Sequence, residues 1–276
     1  MGWARRVCSR TATALPGGLR PALPCSRLRA VNGEYKRFYL IACRALWREV
    51  CFVAANCEQA LDIQFLKRGL HDQPDLLRQV LTEEIAKADE DGYDAVLLAY
   101  GLCGRGIAGL RAGRIPLVIP RAHDCITLLL GSKERYRQYF AQYPGTYWYT
   151  PSWIETANQP SRERYEARLK EYVERYGEEN GRYLMETLEN WVTRYSRATY
   201  IDWGLGDNER YKRFTRECAQ SLGWEYDELR GDPALLRDLC EGRWHEDRFL
   251  VVPPGHSVEP ANDESVLVSR GQADAG

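Results

Sequence analysis

Short apolar runs alternate with segments of helical periodicity along most of the chain, and this alternation restricts the fold more than any other feature. The first runs cover residues 38–42 (FYLIA), 60–66 (ALDIQFL), 94–100 (DAVLLAY) and 116–120 (PLVIP). Each has the length of a buried strand, and helical patterns at 44–57 and 74–89 separate the first three runs. Strands that alternate with helices in this way are typical of a parallel sheet with helices on both faces.

The alternation resumes in the last third of the chain. Further strands are predicted at 199–203, 224–229 and 249–252, with helices at 207–222 and 233–240. The predicted fold class is therefore α/β, with a doubly wound and mostly parallel sheet in one or two Rossmann-like lobes and a helical insert.

Changes in composition divide the chain into five predicted segments. These are a leader at 1–34, a first α/β lobe at 35–145, an aromatic loop with a helical insert at 146–197, a second α/β lobe at 198–256 and a tail at 257–276. The leader holds six Arg and no acidic residue before Glu34, which predicts a disordered or mis-assigned segment. Apolar and aromatic residues at helical spacing predict a helical hairpin in the insert, with a break near 177–181. The tail is expected to be loose.

The composition excludes several classes of protein. Lys and Arg total 38 against 39 Asp and Glu, so neither nucleic acid nor an anionic membrane is expected as a partner. Mean hydropathy is −0.51 and no apolar run approaches the ~18 residues of a membrane span, so we expect a soluble, cytoplasmic protein. The nine cysteines show no disulfide-framework spacing, which favours reduced thiols.

Three cysteines follow three predicted strands at the same edge of the sheet. Cys43 follows the first strand, Cys103 the third and Cys125 the fourth. Ligands of doubly wound sheets bind beyond the carboxyl ends of the strands, where His71 and His123 are also expected. Three thiolates from three loops can hold an iron–sulfur cluster with one open iron, or a zinc ion whose fourth ligand is a histidine or the substrate. The following helix N-termini are expected to lower the thiol pKa values.

Other residues near these loops are candidates for binding or catalysis. Gly101, Gly104 and Gly106 would let a cofactor approach the backbone closely. His71 and His123 are candidate proton carriers, and Arg121 is a candidate partner for a carboxylate or phosphate. The aromatic side chains of the loop would form a lid or a stacking platform, or pack between the lobes; they are Tyr147, Trp148, Tyr149 and Trp153.

Two other classes of function stay open beside a metal site. The first is a metal-free thiol enzyme, racemase-like or lyase-like, that uses cysteine as acid, base or nucleophile. Racemases usually place one thiol in each lobe, whereas all three candidate cysteines lie in the first lobe. The second is a non-catalytic accessory protein that binds a corrinoid protein through its aromatic loop and charged helical insert.

Four segments resemble a known family: YDAVLLAYGLCGRGIAGLRAG, IPLVIPRAHDCITLLLGS, FLKRGLHDQP and the PGTYW loop. They are similar to the uncharacterised prokaryotic family called domain of unknown function 1638, over about residues 36–255. The GLCG and HDC segments are specific to that family. The resemblance implies that Cys43, Cys103 and Cys125 are the family's cysteines, with His123 beside the last.

The resemblance carries no established reaction. Members of the family often occur alongside corrinoid-dependent methyltransferases, which implies methyl-group or one-carbon metabolism. We therefore predict a metal-binding protein with zinc or an iron–sulfur cluster as cofactor, held by Cys43, Cys103 and Cys125 with His123 or His71. Its substrate is expected to be a small molecule or the corrinoid of a partner protein, in a metal-dependent reaction related to methyl transfer.

Overall fold

A five-stranded sheet forms the centre of the described structure. The computed structural model describes residues 35–89 and 91–271, and the predicted leader at 1–34 lies outside these residues. The strands, in the order β2–β1–β3–β4–β8, are β1 (Arg37–Cys43), β2 (Ala60–Leu66), β3 (Ala95–Ala99), β4 (Leu117–Pro120) and β8 (Phe249–Val252). The first four strands are parallel, and β8 is antiparallel to β4. The predicted α/β class with a mostly parallel sheet is confirmed.

Helices cover both faces of this sheet. They include α1 (Trp47–Ala54), α2 (Pro74–Ala88), α3 (Cys125–Leu130) and α4 (Lys133–Gln142). Alternate residues of β1 enter different hydrophobic cores, Leu40 on one face and Ile41 on the other. Because both faces are buried, the central strands read as continuous apolar runs rather than as alternating ones. No helix within the described residues is long and apolar enough to cross a membrane.

A second, three-stranded parallel sheet contains β5 (Thr146–Tyr149), β6 (Arg197–Asp202) and β7 (Glu225–Arg230). The chain between β5 and β6 forms α5 (Pro151–Thr156), α6 (Arg162–Tyr176) and α7 (Glu178–Leu188), and α8 (Asn208–Leu222) connects β6 to β7. The expectation of an aromatic loop at 146–149 is wrong. Tyr and Trp are strong strand formers, and this segment pairs along β6.

The predicted helical hairpin is α6 and α7, and the chain turns between them at Gly177. This glycine has a φ of 81°, which favours a residue without a Cβ. Gly181 was expected to belong to the break but lies inside α7. A Cβ at Gly181 would lie 2.7 Å from the backbone nitrogen of Val173, so the glycine lets the two helices approach closely.

The end of the chain differs from the prediction in two respects. After α9 (Ala234–Cys240), strand β8 joins the first sheet and not a second lobe. The reason is that α9 packs against β3 and β4, so the next strand meets the free edge of β4. The part of the expected loose tail that the structure describes, 257–271, instead forms a hairpin of β9 (Ser257–Pro260) and β10 (Leu267–Arg270), whose Val258 and Leu267 are buried. Residues 272–276 of the predicted tail lie outside the described residues.

Candidate site: a thiol-lined cavity at the strand ends

The three predicted cysteines line one cavity beyond the carboxyl ends of β1, β3 and β4. Cys43 is the last residue of β1, Cys103 lies four residues after β3, and Cys125 is the first residue of α3. The cavity has a volume of about 240 Å³. Its other walls come from Ala45, Arg68, His71, Ala99, Tyr100, Thr146, Tyr147, Trp148, Trp153 and Tyr195. The fold thus brings together thiols that are up to 82 residues apart in the sequence (125 − 43).

Hydrogen bonds join the loop after β3 to the loop after β4. Leu102 N donates to Ala122 O at 2.8 Å, and Cys103 N donates to His123 O at 2.9 Å. These bonds hold Cys103 at a φ of 42° and Arg105 at 71°, in the left-handed region that costs a non-glycine residue about 1–3 kcal/mol. The loop is therefore held in a conformation that it would not adopt alone.

The carboxylate of Asp124 fixes the start of α3 and thereby the position of Cys125. One oxygen accepts hydrogen bonds from the backbone nitrogens of Ile126 and Thr127, and the other accepts one from the Tyr136 hydroxyl at 2.8 Å. This is an N-cap, in which a side chain satisfies amides that have no partner within the helix. Asp124 therefore has a structural role next to the site.

The three thiols have raised pKa values, contrary to the expectation that helix N-termini would lower them. Burial is the largest cause for each of them. The pKa of Cys103 is raised to about 12, with the charge of Asp124 as the next cause, and the pKa of Cys125 is raised well above its ordinary value. The negative charges of the neighbouring sulfurs also raise the pKa values of Cys103 and Cys125. All three cysteines are therefore protonated thiols at neutral pH unless a cation binds them.

Two polar groups on the cavity wall are buried and poorly satisfied. The Trp153 indole nitrogen makes no hydrogen bond with any described residue, and the Tyr100 hydroxyl makes none of good geometry, its one interaction being with the Cys43 thiol. The pKa of Tyr100 is raised by burial first and then by the charges of Cys43 and Cys103. A buried polar group without a partner is costly, so these two groups point to a ligand or an ordered water in the cavity.

Aromatic residues of the second sheet form the roof of the cavity. Tyr147 and Trp148 of β5 line it together with Tyr195, and the rings of Tyr147 and Tyr195 meet edge to face at 5.2 Å. Tyr149, also predicted for this lid, is fully buried instead, and its hydroxyl donates to Pro160 O. Sequence reasoning missed Tyr100 and Tyr195 as parts of the site. Tyr100 could have been found, since it directly follows a strand that precedes a candidate cysteine.

The two predicted histidines lie in different places. His71 lines the thiol cavity, and its Nε2 lies 3.3 Å from Asp72 Oδ1. The ring of His123 is exposed and lines a separate cavity of about 640 Å³ with Arg105, Lys133 and Arg137. The backbone carbonyl of His123 accepts the hydrogen bond from the loop that carries Cys103.

Arg121 and the candidate glycines also lie away from the thiol cavity. The Arg121 guanidinium donates to four backbone carbonyls, those of Glu246, Phe249, Ser265 and Leu267. A Cβ at Gly101 would lie 2.7 Å from the Asp124 backbone, and one at Gly106 would lie 2.6 Å from the Leu77 side chain. Gly104 has a φ of 64° and adopts the left-handed conformation of its loop. In this structure these residues hold loops and helices together.

A ready-made metal site is absent from the described residues. Within 35–89 and 91–271, no three Cys, His, Asp or Glu side chains are placed so that they could hold a metal ion as they stand. All seven cysteines of these ranges are free thiols. The thiol cavity therefore contains the donor atoms for a metal, but their present orientation does not form a coordination shell.

The fold and the cavity define an α/β protein with a small thiol-lined site at the carboxyl edge of its main sheet. The model of the family described as "Protein of unknown function (DUF1638)" matches residues 65–240, which is more than half of the chain. The chain belongs to this family, as the resemblance implied. The matched segment contains Cys103 and Cys125 and begins after Cys43. No curated protein and no solved structure matches the chain.

Proposed function

We propose that Cys43, Cys103 and Cys125 bind a thiophilic metal centre, zinc or an iron–sulfur cluster, that acts on a small molecule. The observation that carries this proposal is the convergence of three thiols from three strand ends on one cavity. The remaining cysteines of the described residues do not line it; they are Cys51, Cys57, Cys218 and Cys240.

The three thiols need a bound cation before they can ionise together. Burial raises all three pKa values, and the charges of neighbouring sulfurs also raise those of Cys103 and Cys125, so three ionised sulfurs would repel each other in a site with little water. A metal ion removes this repulsion and displaces the thiol protons, as it does in known thiolate sites. When bound, the metal centre would supply Lewis-acid, thiol-activating or redox chemistry.

The donor set fits such a centre, and the cavity leaves room for it to assemble. Sulfur ligands select zinc and iron–sulfur clusters, and three protein ligands leave a position open for substrate. Each sulfur is separated from its backbone by one rotatable bond, so a change of rotamer can turn it toward the centre of the cavity. His71 lies on the cavity wall, as the fourth ligand or as a proton carrier; His123 lies outside it.

The size of the cavity limits the substrate. A volume of about 240 Å³ is below the roughly 300–1,000 Å³ of sites for drug-sized ligands. A small molecule therefore fits beside the metal, whereas a corrinoid ring could only approach from outside. Methyl-group chemistry with a corrinoid partner, which the resemblance implied, thus requires the partner to present its cofactor at the mouth of the cavity.

Metal content of cysteine variants tests the proposal. The protein is purified without oxygen, and zinc, iron and sulfide are measured in the wild type and in Cys43→Ala, Cys103→Ala and Cys125→Ala. Cys218→Ala, at a buried thiol outside the cavity, is the matched control. We expect stoichiometric metal in the wild type and the control, and its loss in each cavity variant with the circular dichroism spectrum unchanged. Full retention in the cavity variants, or a metal-free wild type, would contradict the proposal.

A metal-free thiol enzyme is the second candidate. The absence of a preformed ligand set among the described residues favours it, since neutral thiols can act as proton donors without a metal. The raised pKa values of all three thiols count against it, because a nucleophilic or basic cysteine requires a thiolate. Rapid alkylation of one cavity cysteine by iodoacetamide at neutral pH, in protein free of metal, would favour this candidate.

A further inference from the structure

The Arg68 guanidinium has no partner in the part of the chain that the structure describes. Arg68 follows β2 and lines the thiol cavity, yet it makes no hydrogen bond, ion pair or ring contact with residues 35–89 or 91–271. Two arginines near the cysteine loops are used differently: Arg121 binds backbone carbonyls, and Arg111 donates to Gly255 O. An unpartnered cation on the wall of a small cavity is available to a ligand.

Arg68 lines the same cavity as the three thiols and the aromatic roof. Its positive charge acts on Cys43 and on Tyr147, which lie on different walls of the cavity. Tyr100, whose buried hydroxyl makes no hydrogen bond of good geometry and interacts only with the Cys43 thiol, lines the same cavity. A guanidinium and a hydroxyl donor in one cavity are suited to the oxygens of an anion, and guanidinium binds carboxylate or phosphate through two parallel hydrogen bonds.

We infer that the substrate of this site is a small molecule with a terminal oxyanion group, a carboxylate or a phosphate, which Arg68 and the Tyr100 hydroxyl bind while the rest of the molecule faces the thiols. This inference rests on the proposed function, because it assigns the substrate class of the same cavity. Arg68 determines specificity for charge, since among the residues that the structure describes no other arginine or lysine lines the cavity.

The second candidate for an anion site is the neighbouring cavity that contains His123. Arg105 lines it, and its guanidinium also has no partner among the described residues, but Asp263 and Glu264 line it too. Arg137 is paired there with Glu264, and Lys133 donates to backbone carbonyls. These carboxylates weaken the attraction for an anion, so Arg105 is the appropriate control residue for Arg68.

Binding of acetate, with acetamide as its neutral isostere, tests the inference. Saturation-transfer-difference NMR is recorded on the protein as purified, in the wild type and in Arg68→Gln, Arg68→Lys, Tyr100→Phe and Arg105→Gln. We expect acetate binding and no acetamide binding in the wild type. Affinity for acetate should fall at least about tenfold in Arg68→Gln and several-fold in Tyr100→Phe. It should be partly retained in Arg68→Lys and unchanged in Arg105→Gln.

Inorganic phosphate is then titrated against bound acetate. If phosphate displaces acetate at a concentration lower than the Kd of acetate, the substrate carries a phosphate. If phosphate is needed at a higher concentration, the substrate carries a carboxylate. Equal acetate affinity in the wild type and Arg68→Gln, equal binding of acetamide, or loss of binding in Arg105→Gln would overturn the inference. If acetate bound a metal ion directly, its affinity would be equal in the wild type and in Arg68→Gln, and the inference would be overturned.

Metal analysis of the same preparations separates the two proposals. Metal-free protein that binds acetate through Arg68 contradicts the metal centre and leaves the substrate class intact. Protein that carries metal and shows no acetate binding contradicts the substrate class alone. Arg68→Gln should keep the wild-type metal content, because Arg68 is not a ligand.

Discussion

The backbone amide of Cys103 donates a hydrogen bond of 2.9 Å to the carbonyl oxygen of His123, and this bond joins the two loops that carry Cys103 and Cys125. A parallel bond from Leu102 N to Ala122 O lies beside it. The two loops therefore form one wall of the thiol cavity, and a displacement of either loop moves both thiols. This coupling decides which substitutions outside the cavity should disturb it.

Replacing Gly101 by alanine should separate the two loops. The new Cβ would lie 2.7 Å from the Asp124 backbone, and such overpacking costs about 1–3 kcal/mol of the free energy of unfolding. We expect a lower midpoint in urea and a reduced metal content. Gly223→Ala is the control, because it has open space but a left-handed φ of 68°. It should destabilise the protein by about 1 kcal/mol and leave the metal content unchanged; equal metal loss in both variants would contradict this account.

Arg121→Gln should destabilise the end of the chain without affecting the thiol cavity. The guanidinium holds the carbonyls of Ser265 and Leu267 as well as those of Glu246 and Phe249, and these lose their donor in the variant. A loss of about 1–3 kcal/mol is expected, with faster proteolysis in residues 257–271. Arg111→Gln removes one such bond and should cost less. Loss of substrate binding or metal in Arg121→Gln, with stability unchanged, would instead support a catalytic role.

Glu49 should make the stability of the protein depend on pH. This carboxyl is fully buried on α1, accepts a hydrogen bond from Ser152 Oγ, and has its other oxygen without a partner. Burial raises its pKa from 4.5 to about 7, so the folded state holds the proton more tightly than the unfolded state. Its contribution is therefore fully present below pH 4.5 and is lost as pH rises through about 7, a change of about 3 kcal/mol.

Urea unfolding at pH 5 and pH 8 checks this dependence. The Glu49→Gln variant should lose most of the difference between the two values. The control is Glu155→Gln, because the hydrogen bond from Arg48 lowers the pKa of Glu155 and places its titration below this range. An unchanged pH dependence in Glu49→Gln would show that this carboxyl is ionised in the folded protein at pH 5.

Iodoacetamide should modify the cavity cysteines of metal-free protein only slowly. Cys51 is exposed, whereas burial raises the pKa of Cys103 to about 12 and that of Cys125 well above its ordinary value. Because the thiolate is the reactive form, iodoacetamide at pH 7.5 should label Cys51 first and the two cavity cysteines slowly. Peptide mass spectrometry over time gives the rates. A cavity cysteine that reacts faster than Cys51 would favour the metal-free thiol enzyme over the metal centre.

The sequence was sufficient to predict the first four strands and the edge at which the cysteines meet. Each of these strands is a short apolar run between helical patterns, and in a parallel sheet the ends of such strands share one edge. Cys43, Cys103 and Cys125 could therefore be grouped without knowledge of strand order. Local pattern and topology agree in this part of the chain.

The position of β8, the roles of two predicted site residues and the roof of the cavity depend on contacts that the local sequence does not encode. The pairing of β8 with β4 follows from the position of α9 on the sheet, and no feature of residues 249–252 specifies that neighbour. Arg121 acts through its side chain, which binds backbone carbonyls, and His123 acts through its backbone carbonyl, which accepts from Cys103 N. The sequence does not specify which group of each residue makes the contact. The roof from Tyr147 and Tyr195 forms only when the second sheet is in place.

X-ray absorption at the metal edge of anaerobically purified protein tests the central claim most directly. If Cys43, Cys103 and Cys125 hold the metal, the first shell should contain sulfur at about 2.3 Å. For zinc it should fit three sulfurs and one lighter atom, and removal of any one cavity cysteine should lower the sulfur count or the metal content. A first shell of nitrogen and oxygen alone, or protein without metal, would contradict the claim that these three thiols form a metal centre.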